Sequence, residues 1–175
     1  MLKVILADDE AIIRNGMKKA IPWGELELEF AGTAADGREA LQLAIETKPD
    51  IIITDIDMPH LNGLEFVREL RKQQEDNYII VVSGYDEFEY AKQCIKLGVV
   101  DYVLKPIDLD ALIDLLKKIK EKDAGRKQSE QEVEALKQTL ADSRNESQDN
   151  ILFKLLLNSG EFHEEEFIKY QLEPD

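Results

Sequence analysis

Short β-branched runs alternate with amphipathic stretches five times over residues 1–122, and that alternation restricts the folds open to the chain. Strands are predicted at 2–7, 28–33, 50–54, 78–82 and 100–104, and helices at 10–20, 36–47, 62–74, 86–97 and 108–122. A run such as Asp50-Ile51-Ile52-Ile53-Thr54-Asp55 is apolar, β-branched and too short for a typical helix, so it reads as a buried strand. Strands and helices in strict alternation call for a parallel sheet covered on both faces. Right-handed crossovers then leave few topologies.

The best fit is an α/β, doubly wound five-stranded parallel sheet of flavodoxin-like order 2-1-3-4-5, because that order sets the first and third strands side by side. Local punctuation agrees. Asp36-Gly37 opens the second helix, whose buried face is expected to be Ala40, Leu41, Leu43, Ala44 and Ile45, and Pro49 blocks its continuation. Asn62-Gly63 begins the third, with Leu64, Phe66, Val67 and Leu70 on one side. Gly98 stands where a cap after helix four is expected. Asp108 is a natural N-cap for helix five, with Leu109, Leu112, Ile113, Leu116 and Ile119 as apolar positions. Cys94 shares a helix with Phe88, Ala91 and Ile95 and is itself expected in the core, and Trp23 against the loop before strand two.

After Lys122 the texture changes. Residues 123–150 are charged and Gln/Glu-rich, with sparse apolar positions at Val133, Leu136 and Leu140. They read as a helical linker, with Gly125 a candidate break. The 109-112-116-119 spacing does not run in phase into 133-136-140, which argues against one continuous heptad seam. Residues 151–175 open on the dense apolar run Ile151–Leu157 and include a helix-like stretch Glu161–Leu172; they are expected to begin a helical region belonging to a larger module. The expected organisation is therefore 1–122, a linker at 123–150, and the C-terminal helical extension at 151–175.

The formal charge of −15 is shared: 16 Lys/Arg stand against 24 Asp/Glu over 1–122, and 6 against 13 over 123–175. Neither part offers a basic surface for nucleic acid. No apolar run reaches the roughly 18–20 residues that cross a bilayer. Asp8-Asp9-Glu10 interrupts any leader-like pattern at the N-terminus. One cysteine cannot pair internally, which fits a reducing, cytoplasmic setting.

Polar groups follow four of the predicted strands: Asp8 and Asp9 after the first, Asp55 after the third, Ser83-Gly84 after the fourth, and Lys105-Pro106 after the fifth. A doubly wound sheet gathers all of them on its C-terminal rim. The carboxylates suit Mg²⁺, a hard cation that takes oxygen ligands and keeps several waters. Asp9 and Asp55 are the expected direct ligands, Asp8 a ligand through water, and the backbone carbonyl of Asp57 a further one. With the metal neutralising the cluster, Asp55 can attack an electrophilic phosphorus. Lys105 offers a point charge, and the Ser83 hydroxyl a hydrogen bond, to a phosphoryl oxygen. Gly84 leaves room for the incoming group.

The set Asp8-Asp9-Glu10, Asp55-x-x-Met58-Pro59 with Gly63, Ser83-Gly84, and Gly98-x-x-Asp101-Tyr102-x-x-Lys105-Pro106 resembles the receiver domain of bacterial two-component response regulators over roughly 1–122. The resemblance implies that a sensor histidine kinase donates a phosphoryl group from phosphohistidine to Asp55. It also implies a cis Lys105-Pro106 peptide, and Tyr102 as a switch aromatic that moves inward as Ser83 engages the phosphate. Tyr85 is placed to shield or admit attacking water. Ile21-Pro22-Trp23-Gly24, Ser83–Ala91 and Tyr102–Ile107 are similar to the YesN-like subgroup, which carries an AraC-type DNA-binding domain downstream. DNA contact would then come only through a domain beyond this sequence. A homodimer is expected through the linker helix or the helix 4, strand 5 and helix 5 face. His60 and His163 read as surface residues.

Two other readings fit part of the pattern. Asp55-Ile56-Asp57 resembles the nucleophile motif of haloacid-dehalogenase-type phosphatases, but Pro59 stands where that motif expects a threonine or serine. The other is a pseudo-receiver, a binding module that never takes a phosphate, against which the intact acid set and Lys105 argue.

Overall fold

A computed structural model describes residues 1–73, 76–84 and 88–159, with side chains as far as residue 138 except Phe88. The order of elements is β1 (Leu2–Ala7), α1 (Ala11–Ala20), β2 (Leu28–Ala34), α2 (Gly37–Thr47), β3 (Ile51–Asp55), α3 (Gly63–Lys72), β4 (Tyr78–Ser83), α4 (Phe88–Lys96), β5 (Asp101–Leu104) and α5 (Leu109–Ser159). The five strands form one parallel sheet in the order β2-β1-β3-β4-β5, the topology expected from the alternation.

Alternation along each strand divides the core. Ile5, Ala7, Ile52, Ile79 and Val81 face α2, α3 and α4, where they meet Ala40, Ala44, Phe66, Val67, Leu70 and Cys94. Val4, Leu6, Ile51, Ile53, Ile80 and Val82 face the other way, against Met17 of α1 and Leu112, Leu116 and Ile119 of α5. With both faces covered, β3 is buried at every position, which is why its sequence is a continuous apolar run.

The helix ends follow their sequence signals. The Asp36 carboxylate accepts from Arg38 and Glu39 N–H at 2.8 and 2.9 Å. Asn62 and Glu65 form a reciprocal capping box at α3. Gly98 takes a positive φ of 67° after α4, and the Asp108 carboxylate accepts from Ala111 N–H at 3.1 Å.

Two expectations need correction. Ile45 is 52% exposed, so the buried stripe of α2 is narrower than its apolar content. Gly125 does not break a helix: α5 passes through it. An interior glycine costs only about 1 kcal/mol relative to alanine, and Asp123 pairs with Arg126 and Lys127 across the same turns. Leu140 and Ile151–Leu157 lie on α5 beyond the described side chains, while Tyr85, Glu161–Leu172 and His163 lie outside the described residues. The chain divides into two compact units, Met1–Lys122 and Asp123–Asp175. The candidate site lies wholly within the first.

Candidate phosphoacceptor site

Adjacent strands β1 and β3 end together, pairing Ala7 with Thr54, so the residues that follow each pair lie side by side on the rim. Asp8 (1% exposed) and Asp55 (4% exposed) are both buried there. The Asp8 backbone and the Asp55 carboxylate are both held in place. Asp8 N–H donates to the Ala34 carbonyl at 3.2 Å, and the Arg14 guanidinium donates to the Asp8 carbonyl. Ile56 N–H donates to Asp55 Oδ1 at 2.7 Å.

Lys105 arrives from the end of β5. Its backbone N–H donates to the Ser83 carbonyl at 2.8 Å, which extends the β4–β5 ladder by one residue, and the Lys105-Pro106 peptide is cis. Its Nζ lies 2.7 Å from Asp55 Oδ2, 3.1 Å from Asp8 Oδ2 and 3.3 Å from Glu10 Oε1. The ammonium thus sits between carboxylates contributed by two other strand ends.

The electrostatics follow from burial. Burial pushes the carboxyls of Asp8 and Asp55 above the usual aspartate range, and the Lys105 ammonium offsets this only in part. Burial also acts against the charge on Lys105, but its hydrogen bond to Asp55 and its ion pair with Asp8 outweigh this and hold its pKa above the ordinary lysine value. Two buried acids and one half-buried cation therefore leave a net negative, poorly solvated pocket.

The donor set fits a hard divalent cation. Carboxylate oxygens of Asp8, Asp9 and Glu10 lie within 4.8 Å of one another. Asp8 Oδ2, though ion-paired with Lys105, receives no well-aligned hydrogen bond despite its burial. A buried anionic oxygen without an aligned donor is the kind of atom that a further cation satisfies. Asp9 is exposed beside this cluster, and Asp55 faces it across the Lys105 ammonium.

The remaining sequence-predicted residues are placed as follows. Ser83 ends β4 and is fully buried. Asp57 is exposed on the β3–α3 loop, two residues past Asp55. Tyr102 is half-buried on β5, packed against the α2–α4 side of the core. Gly84 borders open space, where a Cβ would meet nothing within 4 Å. Glu10 was not among the predicted site residues; its only signal was membership of the acidic triplet, and its partner Lys105 lies 95 residues away.

The β3–α3 loop is tightly folded against the site. Gly63 N–H donates to the Ile56 carbonyl at 2.9 Å, and a Cβ on Gly63 would fall 1.9 Å from the Asp55 carbonyl oxygen. A Cβ on Gly37 would fall 2.0 Å from the Leu61 carbonyl, so α2 also closes on the loop.

Comparison with known proteins agrees with this geometry. Residues 4–117 match the family described as the response regulator receiver domain. An uncharacterized response regulatory protein of Staphylococcus epidermidis is 44% identical over 119 residues, which are 66% of this chain and 47% of that protein. The transcriptional regulatory protein HptR of Staphylococcus aureus is 45% identical over 108 residues, covering 62% of this chain and 42% of HptR. The chain therefore spans about half the length of these curated relatives. Among solved structures, the REC domain of AraT, a response regulator from Geobacillus stearothermophilus, superposes with a TM-score of 0.68 at 42% identity, covering 72% of this chain and 98% of that one. A two component transcriptional regulator AraC from Clostridium phytofermentans gives 0.64 at 32% identity, covering 74% and 99%.

Proposed function

Because the chain belongs to the response regulator receiver domain family, we propose that it is a phosphorylation-activated switch of a two-component system, with Asp55 as the phosphoacceptor. One observation carries this reading: Lys105 Nζ joins Asp55 Oδ2 at 2.7 Å to Asp8 Oδ2 at 3.1 Å, so nucleophile, acid cluster and cation meet at one point.

The donor is a phosphohistidine of a sensor histidine kinase. An Asp55 carboxylate oxygen attacks phosphorus; the O–P bond forms as the donor N–P bond breaks, and the departing imidazole takes a proton from water. Mg²⁺, when held by Asp8, Asp9, Asp55 and the Asp57 carbonyl, supplies the positive charge that lets an anionic phosphoryl group approach an anionic site. Lys105 balances charge on a phosphoryl oxygen, and the Ser83 hydroxyl hydrogen-bonds to another. The chemistry is confined to phosphorylation and dephosphorylation of Asp55; the domain is a signalling module and has no separate substrate.

The added group carries a charge of roughly −1.5 to −2 at neutral pH. It draws Ser83 and Lys105 toward it, Tyr102 follows inward, and α4, β5 and the start of α5 move to the active arrangement. Swinging that equilibrium from 1:99 to 99:1 takes about 5.5 kcal/mol of differential stabilisation. Exposed Ile95, Leu104 and Leu109 on α4, β5 and α5 supply an apolar face for a homodimer. The output is transcriptional, through an AraC-type DNA-binding domain of the YesN-like kind beyond this sequence; the naming of HptR as a transcriptional regulatory protein supports this. The protein works in the cytoplasm, and no described helix is long and apolar enough to cross a membrane. The 123–150 stretch serves as linker and 151–175 as the start of a downstream helical region.

Intact mass before and after acetyl phosphate with Mg²⁺ tests the proposal. One phosphoryl group is gained by the wild-type protein, is removed by hydroxylamine, and is absent from Asp55→Asn. No gain by the wild type would support the pseudo-receiver, labelling of Asp55→Asn would defeat the assignment, and multiple turnover on a phosphate ester would favour a phosphatase.

A further inference from the structure

Glu10 occupies the N-cap position of α1, yet its side chain makes no capping hydrogen bond. Glutamate is not among the preferred N-cap residues, because its carboxylate sits one methylene too far out. The side chain instead reaches across the rim to Lys105 Nζ at 3.3 Å. Its backbone is fixed for that reach: Glu10 N–H donates to Asp8 Oδ1 at 2.8 Å, and its carbonyl accepts from Ile13 and Arg14 N–H at 3.0 and 3.1 Å.

An ammonium has three N–H donors, and three carboxylates surround this one. They differ in what the reaction does to them. Asp55 loses its charge as a nucleophile on becoming an acyl phosphate, and Asp8 belongs to the proposed metal set. Glu10, 58% exposed at its side chain, is neither the nucleophile nor one of the proposed metal ligands.

We propose that Glu10 is a positioning residue for Lys105: it holds the ammonium toward the rim and competes with the incoming phosphoryl group for it, which sets the phosphorylation rate. This rests on the phosphoacceptor reading of Asp55. Removing the Glu10 charge releases Lys105 to the phosphoryl oxygens, so the reaction gains speed. The pair is partly solvated, so the gain has the size of an exposed ion pair, roughly two- to fivefold in rate.

The test is a double-mutant cycle of Glu10→Gln and Lys105→Met, read as the initial rate of phosphorylation by acetyl phosphate at saturating Mg²⁺. Glu10→Gln is expected to raise the rate in the wild-type background and to have no effect in the Lys105→Met background. A rate unchanged or lowered by Glu10→Gln, or a rise of the same size in both backgrounds, would overturn the proposal; the latter would mean general repulsion of an anionic donor. Urea midpoints of the same four proteins keep the cycle readable if Lys105→Met takes no label. Glu10→Gln should lower the midpoint when Lys105 is intact and raise it in the Lys105→Met background, where only repulsion among the acids remains; equal shifts would overturn the contact. Absence of label on the wild-type protein would overturn the phosphoacceptor reading and this role with it, whereas a labelled wild type with an additive cycle would overturn this role alone.

Discussion

The Asp55 carbonyl oxygen lies 1.9 Å from where a Cβ on Gly63 would stand. The first turn of α3 therefore rests directly on the backbone of the candidate phosphoacceptor. Nothing flexible intervenes: the clashing atoms are the Asp55 carbonyl and the Ile56 Cα. Gly63→Ala must push α3 away from β3, with an overpacking cost of roughly 1–3 kcal/mol. The urea midpoint should fall accordingly, and acetyl phosphate labelling should slow in the molecules that remain folded. A midpoint within error of the wild type would mean that the loop yields more easily than its packing implies.

The buried acids give the metal-free protein a defined response to pH. Burial raises the folded pKa of Asp55 above its ordinary value of 3.8, and that of Asp8 likewise. Between the ordinary value and the raised one, the folded state holds protons that the unfolded state has released. The contribution of these groups to stability therefore falls as pH rises through that window. Asp55→Asn removes one of them. In EDTA, its urea midpoint relative to wild type should climb as pH rises above about 4, because wild type alone bears the growing penalty of a charge buried at position 55. A difference that is flat, or that declines with pH, would contradict the burial argument.

Mg²⁺ should stabilise the wild-type protein by mass action, by about 2.7 kcal/mol at a concentration one hundred times its dissociation constant. The shift should be lost in Asp55→Asn and strongly reduced in Asp9→Asn, measured as thermal midpoints with and without Mg²⁺. An undiminished shift in both variants would place the ion elsewhere.

Arg71 holds the far end of the α4 side together. Its guanidinium donates to the Leu97 carbonyl at 3.0 Å, the Asn77 carbonyl at 3.0 Å and the Gly98 carbonyl at 3.3 Å. Arg71→Ala leaves those acceptors without their cationic donor, at a cost of roughly 1.5–3 kcal/mol. Amide hydrogen exchange should speed selectively around Leu97–Val99 as well. Global destabilisation without that local change would argue against the tie.

At α3, Asn62→Ala removes the side-chain acceptor for Glu65 N–H and should cost about 1 kcal/mol in chemical denaturation. The phosphorylation rate should change little, because the Asn62 side chain bonds the first turn of α3 and none of the candidate site residues. A large rate effect would place the cap within the switching apparatus.

How much was legible in the sequence depended on the range of the force concerned. Asp36, Asn62, Gly98 and Asp108 announced helix ends because capping is decided within three or four residues. The Asn62-x-x-Glu65 box carried a readable signature of its own, yet Glu65 went unread. Ile45 misled because helical spacing places an apolar residue near a stripe without saying how wide the neighbouring layer is. Gly125 misled because one unfavourable residue is outweighed by the turns around it.

The sequence by itself determined the alternating pattern, hence the sheet, and put Asp8, Asp55, Ser83 and Lys105 at strand ends, because patterning and register act locally and repeat. Only the tertiary structure decided that Lys105 shares its charge among Asp55, Asp8 and Glu10, that Gly63 carries α3 on the Asp55 backbone, and that burial raises two carboxyls together. The ion pairs of Lys105 join residues 50 to 97 positions apart, and the carboxyl shifts depend on the water excluded around them. Neither exists until the sheet has closed.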